Sequence, residues 1–515
     1  MRKNSLSQWL LHDLLDQAAR LHGDRPFLIG PPVLSFRETA AEARRLAGWL
    51  RSIAVEGGSR IAIITRNRAE AILVAFAAAR IGAIFTILHN SIKPYGLRPI
   101  LAECEPILVV LDETTRHLAD HIGAARLLWA GRADPPRGAI PWTEATKAVD
   151  GGQFSGGHRP PLQSSECSDP VCLVYTSGSS GIPRGVLLSN DNIRFAAAAI
   201  QERLRYRPED VIGLFLPLSF DYGLYQIFLA AQAGAAVFVG SPENAGPELL
   251  TRLASLGITI LPGVPTLFAM LLKLLHRRPC PLADLRCVTN TGEHLPKESI
   301  AAMHEYLPGV EIFVMYGLTE CKRVSILLPD EWLTKPDSVG RPLTDTEVFA
   351  VDEDGQQLGP CTLGELVVRG RHVALGYWQA GADTALRFRR ASTGDRELYT
   401  GDLGWVDEKG FVYLAGRKDH MLKHHGIRVS PLEVERAACS IPGVELAAVI
   451  KIAVTDELHL FVTTAKKSLT AERVIAGMRE LLELHKIPDE VHVVADLPRN
   501  SNGKIDRRRL QGEPS

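Results

Sequence analysis

Residues 171–189 read VCLVYTSGSSGIPRGVLLS. An apolar run leads into Thr176, Ser177, Gly178, Ser179, Ser180 and Gly181; Pro183, Arg184 and Gly185 follow, and a second apolar run closes the stretch. The expected local structure is two strands joined by a hydroxyl- and glycine-rich loop, with Ser189 or Asn190 capping a helix beyond it. Glycines admit positive φ and close backbone approach. Hydroxyls and backbone N–H groups of such a loop can therefore ring phosphate oxygens, with Arg184 adding a fixed positive charge. From these residues alone, a plain Ser/Gly turn between strands is an equal alternative. The loop lacks the Lys of G-x-x-x-x-G-K-[ST] and holds no G-x-S-x-G, so neither a Walker loop nor a serine-hydrolase elbow is supported.

On either side, short β-branched runs alternate with helical patterns. Upstream, 60–65 reads as a strand, 68–81 as a helix and 83–88 as a strand. Downstream come strands at 211–215, 235–239, 258–261, 286–290 and 311–315, separated by helices from about 221, near 266–275 and near 296–306. Strands separated by helices of this length imply mostly parallel, helix-covered sheets. Residues 131–170, rich in Gly and Pro, are expected to form a long surface loop. From about 340 the pattern turns β-rich (348–352, 364–369, 410–416), and a basic polar run, RKDHMLKHHG, occupies 417–426. A helix from about 430, strands within 444–465, a helix near 470–485 and a strand near 491–495 complete the chain. The expected fold class is α/β: a large N-terminal domain over 1–416, of parallel sheets with a β-rich subdomain, and a small α+β C-terminal domain over 417–515.

Composition narrows the function. In 515 residues, 46% are hydrophobic and 23% charged, and 58 Lys and Arg nearly balance 59 Asp and Glu. That balance gives no electrostatic reason to expect nucleic acid or an anionic membrane as the main partner. Eight cysteines occur with no C-x-x-C pair, which fits a reducing cytoplasm better than a disulfide scaffold or zinc ribbon. The N-terminal MRKNSLSQWLLHDLLDQAAR reads as an amphipathic helix, because His12, Asp13 and Asp16 interrupt its apolar run. The longest apolar stretches hold Arg80 or two glutamines, so no membrane span is expected.

Five further motifs carry chemistry: NTGEHLP at 290–296, VMYGLTE at 314–320, YTGDLGW at 399–405, GRKDHMLKHHGIRVSPLEVE at 416–435 and NSNGKID at 500–506. Tyr316 follows an apolar strand and so belongs at its C-terminal end, where α/β sheets bind ligands. It offers a flat face, Thr319 a hydroxyl and Glu320 a carboxylate suited to Mg²⁺. Asp402 offers two acceptor oxygens, the number a vicinal diol needs, and also the residue type of a turn after Gly401.

Taken in this order with the 175–186 loop, the motifs resemble the adenylate-forming superfamily of acyl-CoA synthetases, peptide-synthetase adenylation domains and luciferases. The resemblance implies ATP and Mg²⁺ as cofactors and CoA or phosphopantetheine as acceptor. It implies that Thr176 to Gly181 and Arg184 cradle phosphate, that Gly292 and Glu293 line the adenine pocket, and that Tyr316 stacks on the purine. It further implies that Thr319 meets phosphate, Glu320 holds the metal, Asp402 accepts from both ribose hydroxyls, Arg417 helps hold the ribose or phosphates, and Asp419 is the hinge of a mobile C-terminal domain. Lys504 takes the place of the catalytic lysine, an ammonium that would stabilise charge gathering between the α-phosphate and the incoming carboxylate.

Two departures bear on substrate. Arg184 stands where the family has Lys, keeping charge but changing reach. Within LPLSFDYGLYQ (216–226), Phe220–Asp221 resembles amino-acid-activating members, where the Asp binds the substrate's ammonium; Asp221 capping the next helix is the alternative. GIRVSPLEVE resembles the CoA-ligase branch instead. Phe220, Asp221, Tyr222, Gly263 and Cys321 are the expected acid-pocket wall. The reading is a stand-alone acid–thiol ligase that makes an acyl-AMP and then a thioester on CoA or a separate carrier protein, its substrate a small carboxylic or amino acid. An amino-acid-activating enzyme loading a carrier protein is the alternative; a luciferase-like oxygenase and a non-catalytic ATP-binding protein are the rivals from other classes.

Overall fold

A computed structural model describes residues 10–147, 166–177, 183–418, 422–424, 427–452, 457–464 and 469–512. The chain divides into two compact units: Met1–Ser241 with Thr319–Lys322 and Gly370–Arg396, and Pro242–Leu318 with Arg323–Arg369 and Glu397–Ser515.

The first unit is built on an eight-stranded sheet. Its order is Gly376–Tyr377, Pro183–Ser189, Pro170–Ser177, Ile84–Leu88, Arg60–Ile64, Leu108–Leu111, Arg126–Trp129 and Ile140–Pro141. The pairs from Pro170–Ser177 to Ile140–Pro141 are parallel, and Pro183–Ser189 is antiparallel to both of its neighbours. The strands Arg60–Ile64, Ile84–Leu88 and Leu108–Leu111 are almost wholly buried, as a parallel sheet covered on both faces requires. Val211–Leu214, the helix Asp221–Ala233 and Ala236–Val239 form a parallel crossover. Gly234 ends that helix in the left-handed region at φ +73°. The cap expected after the second loop strand is Ser189: it accepts from Asn192 N, and the Asn192 side chain returns to Ser189 N.

In the second unit, Ile260–Gly263, Cys287–Asn290 and Glu311–Tyr316 pair in parallel, and Ser325–Leu327 and Arg341–Pro342 extend them antiparallel. Glu347–Val351, Gly364–Arg369, Arg396–Val406 and Val412–Arg417 form an antiparallel run. Near the C-terminus, Leu446–Lys451, Leu458–Thr463 and Glu490–Val494 make a three-stranded sheet. Helices Pro431–Cys439 and Ala471–Arg479 pack on it through Val434, Ala438, Val474 and Met478 against Leu458, Leu460 and Val462. The expected α/β class with a small α+β portion is what the chain adopts.

Three local expectations change. The loop over 131–170 contains a short strand, Ile140–Pro141, and a helical turn, Trp142–Ala145. The polar run 417–426 contributes the strand Leu422–His424, paired with Ile427–Val429. The helix near 470–485 stops at Arg479, followed by a 3-10 turn at Leu484–Lys486. Each reflects pairing or packing that overrides local propensity. No helix among the described residues is long and apolar enough to cross a membrane.

Candidate active site

The phosphate-loop strands pair with Thr176 opposite Arg184 and Ser177 opposite Pro183. Gly178, Ser179, Ser180 and Gly181 lie outside the described residues, as do Asp419 and the side chain of Ser177. Gly185 is closely packed, since a Cβ there would sit 3.2 Å from the Tyr175 ring. Arg184 is engaged within the protein: it pairs with Asp383 at 3.0 Å and lies 5.5 Å from the Tyr377 ring centre.

Thr319–Lys322 belongs to the first unit, while Tyr316 to Leu318 belong to the second. Glu320 is buried. Its Oε1 accepts from Tyr377 OH at 2.7 Å and from Arg387 Nη1 at 2.9 Å, and Arg387 also donates to Tyr377 OH at 3.0 Å. Burial, and then the Glu320 anion, push the Tyr377 phenol well above its ordinary value, so it stays a donor. A carboxylate is the ligand type a hard cation takes, so Glu320 is the side chain here that could hold one.

Asp221 is the first residue of its helix and Phe220 is the N-cap, so Asp221 does not cap the helix as an N-cap residue would. Its Oδ2 lies 3.1 Å from Lys322 Nζ, with side-chain exposures of 9% and 3%. Lys322 takes the left-handed conformation, φ +61°, and sets its ammonium 4.3 Å from the Tyr225 ring centre. Tyr222 stands edge-on to Phe220. Cys321 is buried beside Lys322 in the chain. The helix start is seated tightly, because a Cβ on Gly223 would come within 2.3 Å of Pro217 O. Gly263 belongs to the second unit, where it ends the strand Ile260–Gly263.

In the second unit, Tyr316 ends its strand as expected. Its hydroxyl donates to Asp402 Oδ2, and Arg417 Nη1 stands 3.3 Å from Asp402 Oδ1. Asp402 and Arg417 are direct cross-strand partners. Asp402 is thus a strand residue following Gly401, whose φ is +73°. Asn290 ends Cys287–Asn290, the parallel neighbour of the Tyr316 strand, with both its Oδ1 and Nδ2 buried and without partners among the described residues. A purine carries both a donor and acceptors, so it fits this orphaned amide; Gly292, at φ +94°, follows two residues later.

Lys504 sits on a tight loop. Asn500 Oδ1 accepts from Asn502 N and Lys504 N at 3.0 Å, Gly503 has φ +78°, and Gly503 O accepts from Thr266 Oγ1 at 2.5 Å. Ile505 N donates to Glu293 Oε1 at 3.3 Å. Burial pushes the Glu293 carboxyl up to about 7, while the Lys504 and Arg507 charges pull the other way. The fold thus brings Lys504 and Glu293 into one electrostatic neighbourhood. Arg507, just beyond that loop, donates to both oxygens of Glu435 at 2.7 and 2.9 Å.

Sequence reasoning missed Lys322, Tyr377, Arg387 and Asn290. For Lys322 a signal existed: a carboxylate at a buried helix start demands a cation. Tyr377 and Arg387 lie 57 and 67 residues from Glu320 and carry no local signature.

The AMP-binding enzyme family matches residues 15–378, and the AMP-binding enzyme C-terminal domain matches 433–504. An L-proline–[L-prolyl-carrier protein] ligase of Streptomyces coelicolor is 30% identical over 517 residues, covering 95% of this chain and 94% of its own length. Among solved structures, VinN in complex with L-aspartate is similar with a TM-score of 0.69 and 30% identity, covering 79% of this chain and 99% of VinN. The o-succinylbenzoate CoA synthetase MenE from Bacillus subtilis, in complex with its acyl-adenylate intermediate, has a TM-score of 0.79 and 26% identity and covers 98% of each chain. Matched over most of its length by the family and end to end by such relatives, this chain belongs to the AMP-binding enzyme family and is an AMP-forming acid–thiol ligase.

Proposed function

We propose that the acid this ligase activates carries an amino group, and that the acyl group passes to a pantetheinyl thiol on CoA or a separate carrier protein. The carboxylate attacks the α-phosphorus of ATP and expels pyrophosphate; the thiol then displaces AMP from the mixed anhydride. The observation that carries the substrate reading is the buried Asp221–Lys322 pair. Burying two charges costs more than an apolar lining would, and an alkyl chain gains nothing from them. A substrate bearing an ammonium and a second anionic group can bind both, the ammonium at Asp221 and the anion at Lys322. The relatives support this reading, since one is a prolyl-carrier ligase and another holds L-aspartate.

In the same proposal, Glu320 holds Mg²⁺, which would neutralise phosphate charge. Lys504 aligns the acid against the α-phosphorus, and Asn290, at its strand end, and Asp402, within Arg396–Val406, receive the nucleoside. Residues 1–416 form the binding core, and 417–515 form a domain that turns about Asp419 to withdraw Lys504 before the thiol step. A cytoplasmic setting is supported by the eight cysteines, all free thiols.

The test is ATP–pyrophosphate exchange against amino acids, amino dicarboxylic acids and their deamino analogues, with wild type and Asp221→Asn. Exchange confined to amino-bearing acids and lost in the variant supports the proposal. Equal exchange with deamino acids, unchanged in Asp221→Asn, overturns it and makes the Asp221–Lys322 pair purely structural.

A further inference from the structure

We infer that the C-terminal three-stranded sheet carries a binding site for a divalent transition metal of the zinc type, made by His459, Glu490 and His492. None of these residues lies in a motif of the ligase reaction, and the inference stands independently of the proposed substrate.

The site follows from strand register. Leu458–Thr463 and Glu490–Val494 run parallel, with His459 opposite Glu490 and Phe461 opposite His492. Side chains alternate along a strand. Leu458, Leu460 and Val462 therefore point into the helix-covered core, while His459 and Phe461 take the other face, beside Glu490 and His492.

On that face three ligand atoms converge. His492 Nε2 lies 3.1 Å from His459 Nδ1 and 3.4 Å from Glu490 Oε2, and His459 Nδ1 lies 3.9 Å from the same Oε2. A tetrahedral ion with bonds of about 2.0–2.1 Å needs ligand atoms roughly 3.3 Å apart. The three distances bracket that value, so closure needs shifts of only about half an ångström. Two imidazoles and one carboxylate, leaving a further position open, are a donor set for zinc and its first-row neighbours rather than for Mg²⁺ or Ca²⁺.

The surroundings hold these ligands in place. Glu457 Oε2 lies 3.4 Å from His459 Nε2, the ring nitrogen that does not face the site. A carboxylate there fixes the tautomer that leaves Nδ1 as an electron-pair donor. The His492 ring stacks on Phe461, with centroids 4.5 Å apart and planes 23° apart. His459 is mostly buried, whereas Glu490 is 56% exposed, so the site is anchored on one side and open to incoming ions on the other. A bound ion would pin the two parallel strands together at one end of their ladder.

The experiment uses untagged, chelator-stripped full-length enzyme titrated with Zn²⁺ by calorimetry and with Co²⁺ by visible absorption. One site per chain is expected, with imidazole-type Co²⁺ bands. His459→Ala and His492→Ala each abolish it, and Glu457→Gln weakens it roughly tenfold. His492 lies in none of the ligase motifs, so His492→Ala is expected to keep ATP–pyrophosphate exchange in Mg²⁺, showing that the variant is folded. Zn²⁺ raises the thermal midpoint of the wild type and not of His492→Ala. Absence of binding, or a stoichiometric site that survives in His492→Ala, overturns the inference and leaves the two imidazoles as a simple hydrogen-bonded pair.

Discussion

The Asp221–Lys322 pair makes a double-mutant cycle decisive. Both side chains are nearly sealed from water, at 9% and 3% exposure, and their charged atoms lie 3.1 Å apart. Lys322→Met keeps the apolar stem but leaves Asp221 as an unpaired buried carboxylate. Removing one member of a buried pair costs about 3–5 kcal/mol. Asp221→Asn leaves a buried ammonium that still faces the Tyr225 ring at 4.3 Å. Such a cation–π contact is worth on the order of 1–2 kcal/mol when desolvated, so this variant should lose about 2–3 kcal/mol. The double variant, with neither charge left to desolvate, should lose less than either single change. The cycle then returns a coupling energy of roughly 3 kcal/mol or more. The assay is urea unfolding followed by tryptophan fluorescence, compared through the transition midpoints of the four proteins. Losses that simply add would refute the reasoning, because they would mean that the two charges do not stabilise one another. Reading exchange with amino-bearing acids on the same four proteins separates the roles: a double variant that is stable yet inactive assigns the pair to the substrate.

Glu293 should make stability depend on pH. Its folded-state carboxyl titrates at about 7, above the ordinary 4.5, so the native chain keeps a proton that the unfolded chain has released between those values. Stability therefore falls as pH rises from about 4.5 to about 7, by at most about 3 kcal/mol. Glu293→Gln, which stays neutral, should flatten that slope in melts taken across the interval. Lys504→Ala should lower the adenylation rate by about 10²–10³ while ATP binding, read by calorimetry, stays measurable. Gly223→Ala should destabilise by about 1–3 kcal/mol or more in the same urea assay, because its Cβ would meet Pro217 O at 2.3 Å and that neighbour is backbone.

Much of the fold is legible along the chain because the signals are local. Apolar alternation marks Glu311–Tyr316 as a strand that delivers Tyr316 to its end, and Ser189 announces the helix it caps. The hydroxyl- and glycine-rich motif, the TGD motif and the Asn-Gly-Lys motif are each a few residues long, so their chemistry can be read from spacing. The errors fall where pairing decides. Ile140–Pro141 is a strand because Leu128 and Trp129 are there to receive it. Arg507 is an ion-pair partner because the helix Pro431–Cys439 presents Glu435 to it.

The sequence by itself determined the reaction class and most of the order of strands and helices, and it singled out Lys504, Glu320 and Asp402 as candidates. Only the tertiary structure decided what those groups touch. Lys322 reaches Asp221 across 101 residues, Tyr377 and Arg387 reach Glu320 across 57 and 67, and Tyr316 reaches Asp402 across 86. His459 meets His492, 33 residues further on, only because their two strands pair in one register. A one-residue slip would turn the imidazoles to opposite faces. Propensity and capping act over a few residues, so they are written locally. A charge's partner is set by packing and register, which exist only once the whole chain has folded.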